Sequence, residues 1–252
     1  MLKNSFIHIP GVCADTEKLI WQNNILNWQE FGSKCECLAL PEAKKKLIHQ
    51  HIGSSLLALR NQKFNFFKNC LNENQHWRLY NELKDKCCFL DIETTGLSKH
   101  YNDITTIGIF NGHESKVFVK GQNMHEFVEE IKKYEMIVTF NGKTFDFPFI
   151  KEKFPEICLD KIHIDLRYPL ARLGFKGGLK KIERDLGISR ERELADMDGR
   201  QAVRLWYAYK RGNLEALELL KKYNIADVEN LLHLMEFTFD KMKEKEFLSI
   251  IR

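Results

Sequence analysis

Apolar and polar positions repeat with a helical period over the first third of the chain, and the period changes near residue 86. Within residues 1–83, the stretches DTEKLIWQNN, PEAKKKLIHQHIGSSLLALRNQ and NENQHWRLYNELKD carry apolar residues at helical spacing. Asp15, Pro41 and Asn74 stand near the predicted helix starts. From residue 86, KCCFLDIET, DITTIGIF and ESKVFVKG read as three short strands joined by turns containing Gly, Asn or Asp, which predicts an antiparallel meander. A helix over MHEFVEEIKKYE follows, then a strand in MIVTFNG, a helix around DFPFIKEKF and a strand in KIHIDL. Helical pieces GLKKIERDLG, GRQAVRLWYAYKRG and LEALELLKKYNIADVENLLHLMEFTF complete the chain. This order predicts an α/β fold, a five-stranded mixed sheet flanked by helices over residues 84–252, preceded by an all-helical segment over 1–83. No Pro/Gly linker separates the two, so the helical segment is expected to dock on the sheet domain.

Composition narrows the class. With 252 residues, 44% hydrophobic and 12% aromatic, the chain can bury a core of ordinary size plus an appendage. Its apolar runs are broken by charge before membrane-spanning length, and its start lacks the basic-then-apolar pattern of a secretory signal, so a cytoplasmic protein with no membrane partner is expected. Seven cysteines, an odd number, point to reduced thiols; Cys35-Glu36-Cys37 has no matching second ligand pair, so zinc is not expected. A net charge of +4 fits a polyanionic partner without requiring one.

Three places carry candidate chemistry. In CFLDIETTGL, Asp91 and Glu93 lie two positions apart at a predicted strand end and therefore share one face, while Leu90 and Ile92 share the other. Like charges side by side repel; a solvated turn tolerates that and a divalent cation exploits it. In TFNGKTFDFPF, Asn141 closes a strand and Asp146 falls in the first turn of a helix, where an acid is favoured in any case, but among Phe140, Phe145, Phe147 and Phe149, which suggests partial burial. In LLKKYNIADVENLL, Tyr223 and Asp227 are four apart on one helical face, with the small Ala226 as neighbour.

Taken together and in this order, the three places resemble the motifs of the DEDD exonucleases, a DnaQ-like group on the ribonuclease H-like fold, over residues 86–240. The position five before the last Asp is Lys222, where a histidine-type member needs His; Tyr223, four before it, fits the tyrosine subgroup that includes polymerase proofreading domains and ribonuclease D. WRLYNELKDKCCFLDIETTGL and GLKKIERDLGI resemble a bacterial branch of YprB-like ribonuclease H-like domains. The resemblance implies two Mg²⁺ or Mn²⁺ ions held by Asp91, Glu93, Asp146 and Asp227, with Asp91 bridging them, and a hydrolytic water oriented by Tyr223. It also implies that Thr94, Thr95 and Leu97 line the terminal nucleotide, that Gly96 supplies the turn, and that Asn141 and Phe145 reach substrate. The implied reaction is metal-dependent 3'-to-5' removal of nucleotides from single-stranded DNA; RNA as substrate, or a noncatalytic nucleic-acid-binding module on the same fold, are the alternatives. Nucleic-acid turnover or repair is the implied setting.

Three further features stay open. Asp165, at the end of KIHIDL, serves either a turn or the site. The loop GFKGGLKK, with Lys176, Lys180 and Lys181 around Gly177 and Gly178, reads as a backbone contact to nucleic acid or as a helix start with solvated lysines. FIHIPGVCADTEKLIW resembles the start of a helix-hairpin-helix, in which Pro10, Gly11 and Val12 fit and Cys13 replaces the second glycine; a degenerate hairpin used for packing is the expectation.

Overall fold

A computed structural model of the protein describes residues 1–251. The chain forms two compact units, one comprising Met1–Glu82 and the chain from Phe239 onward, the other Leu83–Thr238. The break near residue 84 and the return at Phe239 differ from the expected division in one respect, because the segment after Thr238 clusters with the first unit.

The first unit contains helices α1 (Ala14–Gln22), α2 (Trp28–Lys34), α3 (Glu42–Arg60), α4 (Phe64–Cys70) and the short α5 (Tyr80–Leu83). Phe6, Ile20, Trp28, Phe31, Ile48 and Phe67 are buried in its core. Charge is buried there as well: Arg78 donates to both carboxylate oxygens of Glu17 at 2.9 and 3.0 Å and to Glu246 at 2.9 Å. The same Glu17 accepts the amides of Phe6 and Ile7, tying the first loop to α1. Five consecutive residues, Gln75 to Leu79, are buried. The stretch is therefore covered on every side, and it is a 3-10 helix, Glu73–Leu79, where helical spacing predicts an α-helix. Gly11 takes φ +77°, whereas Cys13 sits in extended geometry at φ −94° as the cap of α1, a conformation open to any side chain.

The second unit contains strands β1 (Cys87–Thr94), β2 (Ile104–Phe110), β3 (Ser115–Val119), β4 (Met136–Thr139) and β5 (Ile162–Asp165). They form one sheet in the order β3-β2-β1-β4-β5. Pairing is antiparallel from β3 through β1 and parallel from β1 through β5, the mixed sheet expected from the order of elements. Helices α6 (Phe127–Lys132), α7 (Asp146–Lys153), α8 (Arg167–Arg172), α9 (Leu179–Asp185), α10 (Gly199–Lys210) and α11 (Leu214–Lys243, of which the part up to Thr238 belongs to this unit) accompany it, and a capping box of Asp198 and Gln201 starts α10.

Apolar clusters explain why β1 is buried along nearly its whole length. Leu90, Ile92, Ile107 and Ile137 pack with Phe127, Ile131, Phe149 and Ile150. Val119 joins a second cluster with Trp206 of α10 and Leu217, Leu220 and Tyr223 of α11. A sheet covered by helices shows near-continuous apolar runs in its central strands, so the few polar residues there stand out. Among the described residues no helix is long and apolar enough to cross a membrane, and no cysteine is in a disulfide.

Candidate active site

Strand geometry builds the floor of the site. Cys88, Leu90 and Ile92 enter the apolar core, which sends the intervening Asp91 and Glu93 to the opposite face. A register shift between Glu93 and Thr94 ends the regular pairing there. From α11, Asp227 brings a third carboxylate: ligand oxygens of Asp91, Glu93 and Asp227 all lie within 4.8 Å of one another. Glu93 and Asp227 are buried and Asp91 half-buried. Two ionised carboxylates at that separation repel by roughly 3–4 kcal/mol at an effective dielectric near 20. Three such pairs together approach the whole stability of an ordinary domain, about 5–15 kcal/mol, so protons or cations must share the site.

The titration behaviour agrees in direction. Burial, then the charges of Asp227, Asp146 and Glu93, push Asp91 well above the usual carboxylate range. Burial and the charges of Asp227 and Asp146 do the same to Glu93. Asp227 is raised chiefly by burial, against the pull of Arg190. Asp146 lies outside the three-oxygen group but feels it; burial raises it to about 7, opposed by amide hydrogen bonds from its own backbone and Ile92 and reinforced by the charge of Asp165.

Polar partners fix the acids. Asn224 of α11, fully buried, donates to Asp91 Oδ2 at 2.9 Å. It reaches that atom past Gly108, the residue paired with Asp91 across β1 and β2. A Cβ at position 108 would lie 2.9 Å from Asn224 Oδ1, so this strand glycine makes room for the amide. Arg190 donates to both oxygens of Glu183 at 2.7 and 2.6 Å and to Asp227 Oδ1 at 2.5 Å. Glu183 on α9 is held in turn by Asn230 of α11 at 3.1 Å. Arg190 Nη1 and Lys180 Nζ are buried without a hydrogen-bond partner. Lys180 Nζ stands 4.4 Å from the centre of the Tyr223 ring, and Tyr223 is raised above the usual phenol range, chiefly by burial.

The other expected residues fall as follows. Thr94 Oγ1 donates to the Gly96 carbonyl at 2.6 Å, and Thr95 Oγ1 accepts the Asp103 amide at 3.0 Å, so both hydroxyls brace the turn after β1. Gly96 fits closely against Asn102, which a Cβ would meet at 2.7 Å. Leu97 is 87% exposed at this turn, an apolar side chain held in water. Asn141 adopts φ +66° after β4, and Phe145 is half-buried with its ring 5.0 Å from that of Phe149. Asp165 accepts the amides of Asn141, Lys143 and Arg167 at 2.7, 3.0 and 3.1 Å, which is a turn role. Lys176 is exposed, while Lys180 turns its ammonium inward. Sequence reasoning missed Asn224, Glu183, Arg190 and Asn230; of their surroundings, only a glycine inside the apolar strand ITTIGIF signals a close approach.

The donor set fits a hard divalent cation. It offers carboxylate oxygens alone, crowded and largely buried, with Asp227 also paired to Arg190, which suits Mg²⁺ or Mn²⁺ and not a thiophilic metal.

Comparison with known proteins places the fold. A family model described as RNase_H superfamily matches residues 88–238. The uncharacterized protein YprB of Bacillus subtilis (strain 168) is 28% identical over 235 residues, covering 82% of this chain and 55% of that protein, so the chain spans about half the length of this relative. Among solved structures, the family B DNA polymerase of the archaeon Pyrobaculum calidifontis superposes with a TM-score of 0.50 at 16% identity, over 60% of this chain and 24% of the polymerase. Brucella melitensis NrnC with bound Mg²⁺ gives a TM-score of 0.44 at 16% identity, over 68% of this chain and 83% of that one.

Proposed function

The chain belongs to the RNase H superfamily, and on that premise we propose that it is a metal-dependent 3'-to-5' exonuclease of the tyrosine type, acting on single-stranded nucleic acid, DNA before RNA. The observation that carries this reading is the convergence of Asp91, Glu93 and Asp227 within 4.8 Å, with Asp146 beside them and Tyr223 one turn before Asp227.

Asp91, Glu93, Asp227 and Asp146 would hold two Mg²⁺ or Mn²⁺ ions. Such ions supply a water that ionises near neutral pH and an electrostatic partner for the leaving oxygen. The chain's own part is orientation. Burial keeps Tyr223 protonated, so its hydroxyl can hold the attacking water. Lys180, with a buried ammonium lacking a partner, is free to donate to a non-bridging phosphate oxygen. Leu97, exposed at the turn after β1, meets the terminal base, with Thr94, Thr95, Asn141 and Phe145 around it. Attack of water oxygen on phosphorus breaks the bond to the preceding 3' oxygen, which takes a proton as the nucleoside monophosphate leaves.

The test is degradation of 5'-labelled single-stranded DNA and RNA of one sequence with Mg²⁺ or Mn²⁺. The expected outcome is a ladder shortening from the 3' end that Asp91→Asn abolishes. A folded wild-type protein that leaves both substrates intact would overturn the exonuclease in favour of a noncatalytic nucleic-acid-binding module.

A further inference from the structure

One side of α10 carries a row of positive charge. From Gly199 to Asn213 the chain has four cations and no acid, although acids are frequent on both flanks, in SRERELADMD and LEALELL. Arg200, Arg204, Tyr207 and Arg211 stand three or four positions apart, so they share one side of the helix. The opposite side is anchored: Ala202 and Trp206 are buried with Val119 of β3 and Leu217 and Leu220 of α11, and the Tyr209 hydroxyl accepts from Gln122, just after β3, at 3.1 Å. All four residues of the row are exposed, Tyr207 by 47%. Lysines elsewhere on this unit pair with carboxylates, as Lys181 does with Asp185 and Lys222 with Glu193. Among the described residues, Arg200, Arg204 and Arg211 form no ion pair with a carboxylate. At 1.5 Å per residue the row runs about 16 Å, long enough for several phosphates of one strand. The strand beneath it, β3, is one edge of the sheet and β5 is the other, so the row stands apart from Asn141 and Asp165 at the ends of β4 and β5.

Like charges four apart on a helix cost stability, roughly 0.2–0.5 kcal/mol per pair, and a face needed only for solubility would mix its signs. A row of guanidinium groups complements a row of phosphates, and an exposed aromatic ring within it offers a surface on which a base stacks. We propose that this face of α10 is a docking surface for the phosphodiester backbone of a single strand, separate from the catalytic groove, with Arg200, Arg204 and Arg211 on phosphates and Tyr207 against a base. The identity of the polyanion rests on the exonuclease reading. The surface holds the strand away from its 3' end and so retains a long substrate while that end is cut.

Binding is measured by anisotropy of a 5'-labelled oligothymidylate of twenty nucleotides over a salt series, without divalent metal. Arg204→Gln with Arg211→Gln is expected to weaken binding at least tenfold and to lower the slope of log Kd against log salt by about 1.4, roughly 0.7 for each phosphate contact removed. Arg204→Lys with Arg211→Lys keeps both charges and is expected to keep most of the slope. Tyr207→Ala removes stacking and no charge, so binding should weaken about fivefold at an unchanged slope. The substituted positions are exposed, and melting temperatures matching wild type verify that each variant is folded. An unchanged slope in the Gln pair would overturn the surface and leave the row to an acidic protein. A slope that falls as far in the Lys pair would overturn it too, because charge is then not what the face supplies. Wild-type protein with Mg²⁺ or Mn²⁺ and the same strand is run alongside; 3' shortening with an unchanged slope in the Gln pair rejects the surface alone, whereas the expected fall in slope without any shortening rejects the exonuclease reading and leaves the surface standing.

Discussion

Asp91 owes its orientation to an amide. Asn224 is fully buried, donates to Asp91 Oδ2, and fits only because position 108 is a glycine without a Cβ. Asn224→Ala removes the donor and leaves the carboxylate free to rotate, so cleavage should fall about 10- to 100-fold, the usual cost of losing a partner that orients a metal ligand. The check is the cleavage rate of a protein whose circular dichroism matches wild type; a loss under threefold would show that the amide does not orient the acid. This residue also marks the limit of what the sequence discloses. Asp91, Glu93, Asp146, Tyr223 and Asp227 are legible because their types and spacing are characteristic. Asn224 is one polar residue in a helix, and its significance depends on a glycine 116 positions earlier, brought opposite by strand pairing.

At the scale of elements, α9, the loop after it and α11 are joined by charge. Glu183 on α9 grips Arg190, Arg190 reaches Asp227 on α11, and Asn230 on α11 returns to Glu183. Arg190 thus supplies a positive charge to the acid cluster before any metal arrives. Removing one partner of a buried pair is costly, about 3–5 kcal/mol, because it strands the other charge. Arg190→Gln should therefore lower the melting temperature of the metal-free protein, and Mg²⁺ or Mn²⁺ should raise it by more than in wild type. A purely structural clamp would lower the melting temperature equally with and without metal, so thermal shift in chelator and in divalent salt separates the two. The strands and the long helix are legible at this scale because their periods are clean. Helices α2, α4 and α8, of six or seven residues each, are not among the separate helices the sequence predicts, although α2 and α4 fall within the segment it reads as helical. The Arg190 bridge spans a loop with no periodic signal at all.

For the whole molecule, the acids couple folding to pH and to cations. Asp146 titrates at about 7 in the folded protein against an ordinary value of 3.8. Between those values the native state keeps a proton that the unfolded chain releases, so stability falls as pH rises through this window, by up to about 1.4 kcal/mol per pH unit for each such proton. Asp91 and Glu93 are raised as well and act with the same sign. In chelator the melting temperature should decline from pH 5 to pH 7.5; saturating Mg²⁺ or Mn²⁺ should reduce the decline, and Asp146→Asn should flatten it. A metal-free melting temperature that holds steady or rises over that interval would contradict the buried, mutually repelling cluster.

The strand order has a consequence for motion. β1 is the middle strand, hydrogen-bonded on one side to β2 and on the other to β4, so Asp91 and Glu93 ride on backbone with no free edge. Any rearrangement on the microsecond-to-millisecond scale that the proposed cleavage requires therefore belongs to the walls, the exposed Leu97 turn and the glycine loop before α9. The floor moves with the sheet, and freedom to move lies with the walls.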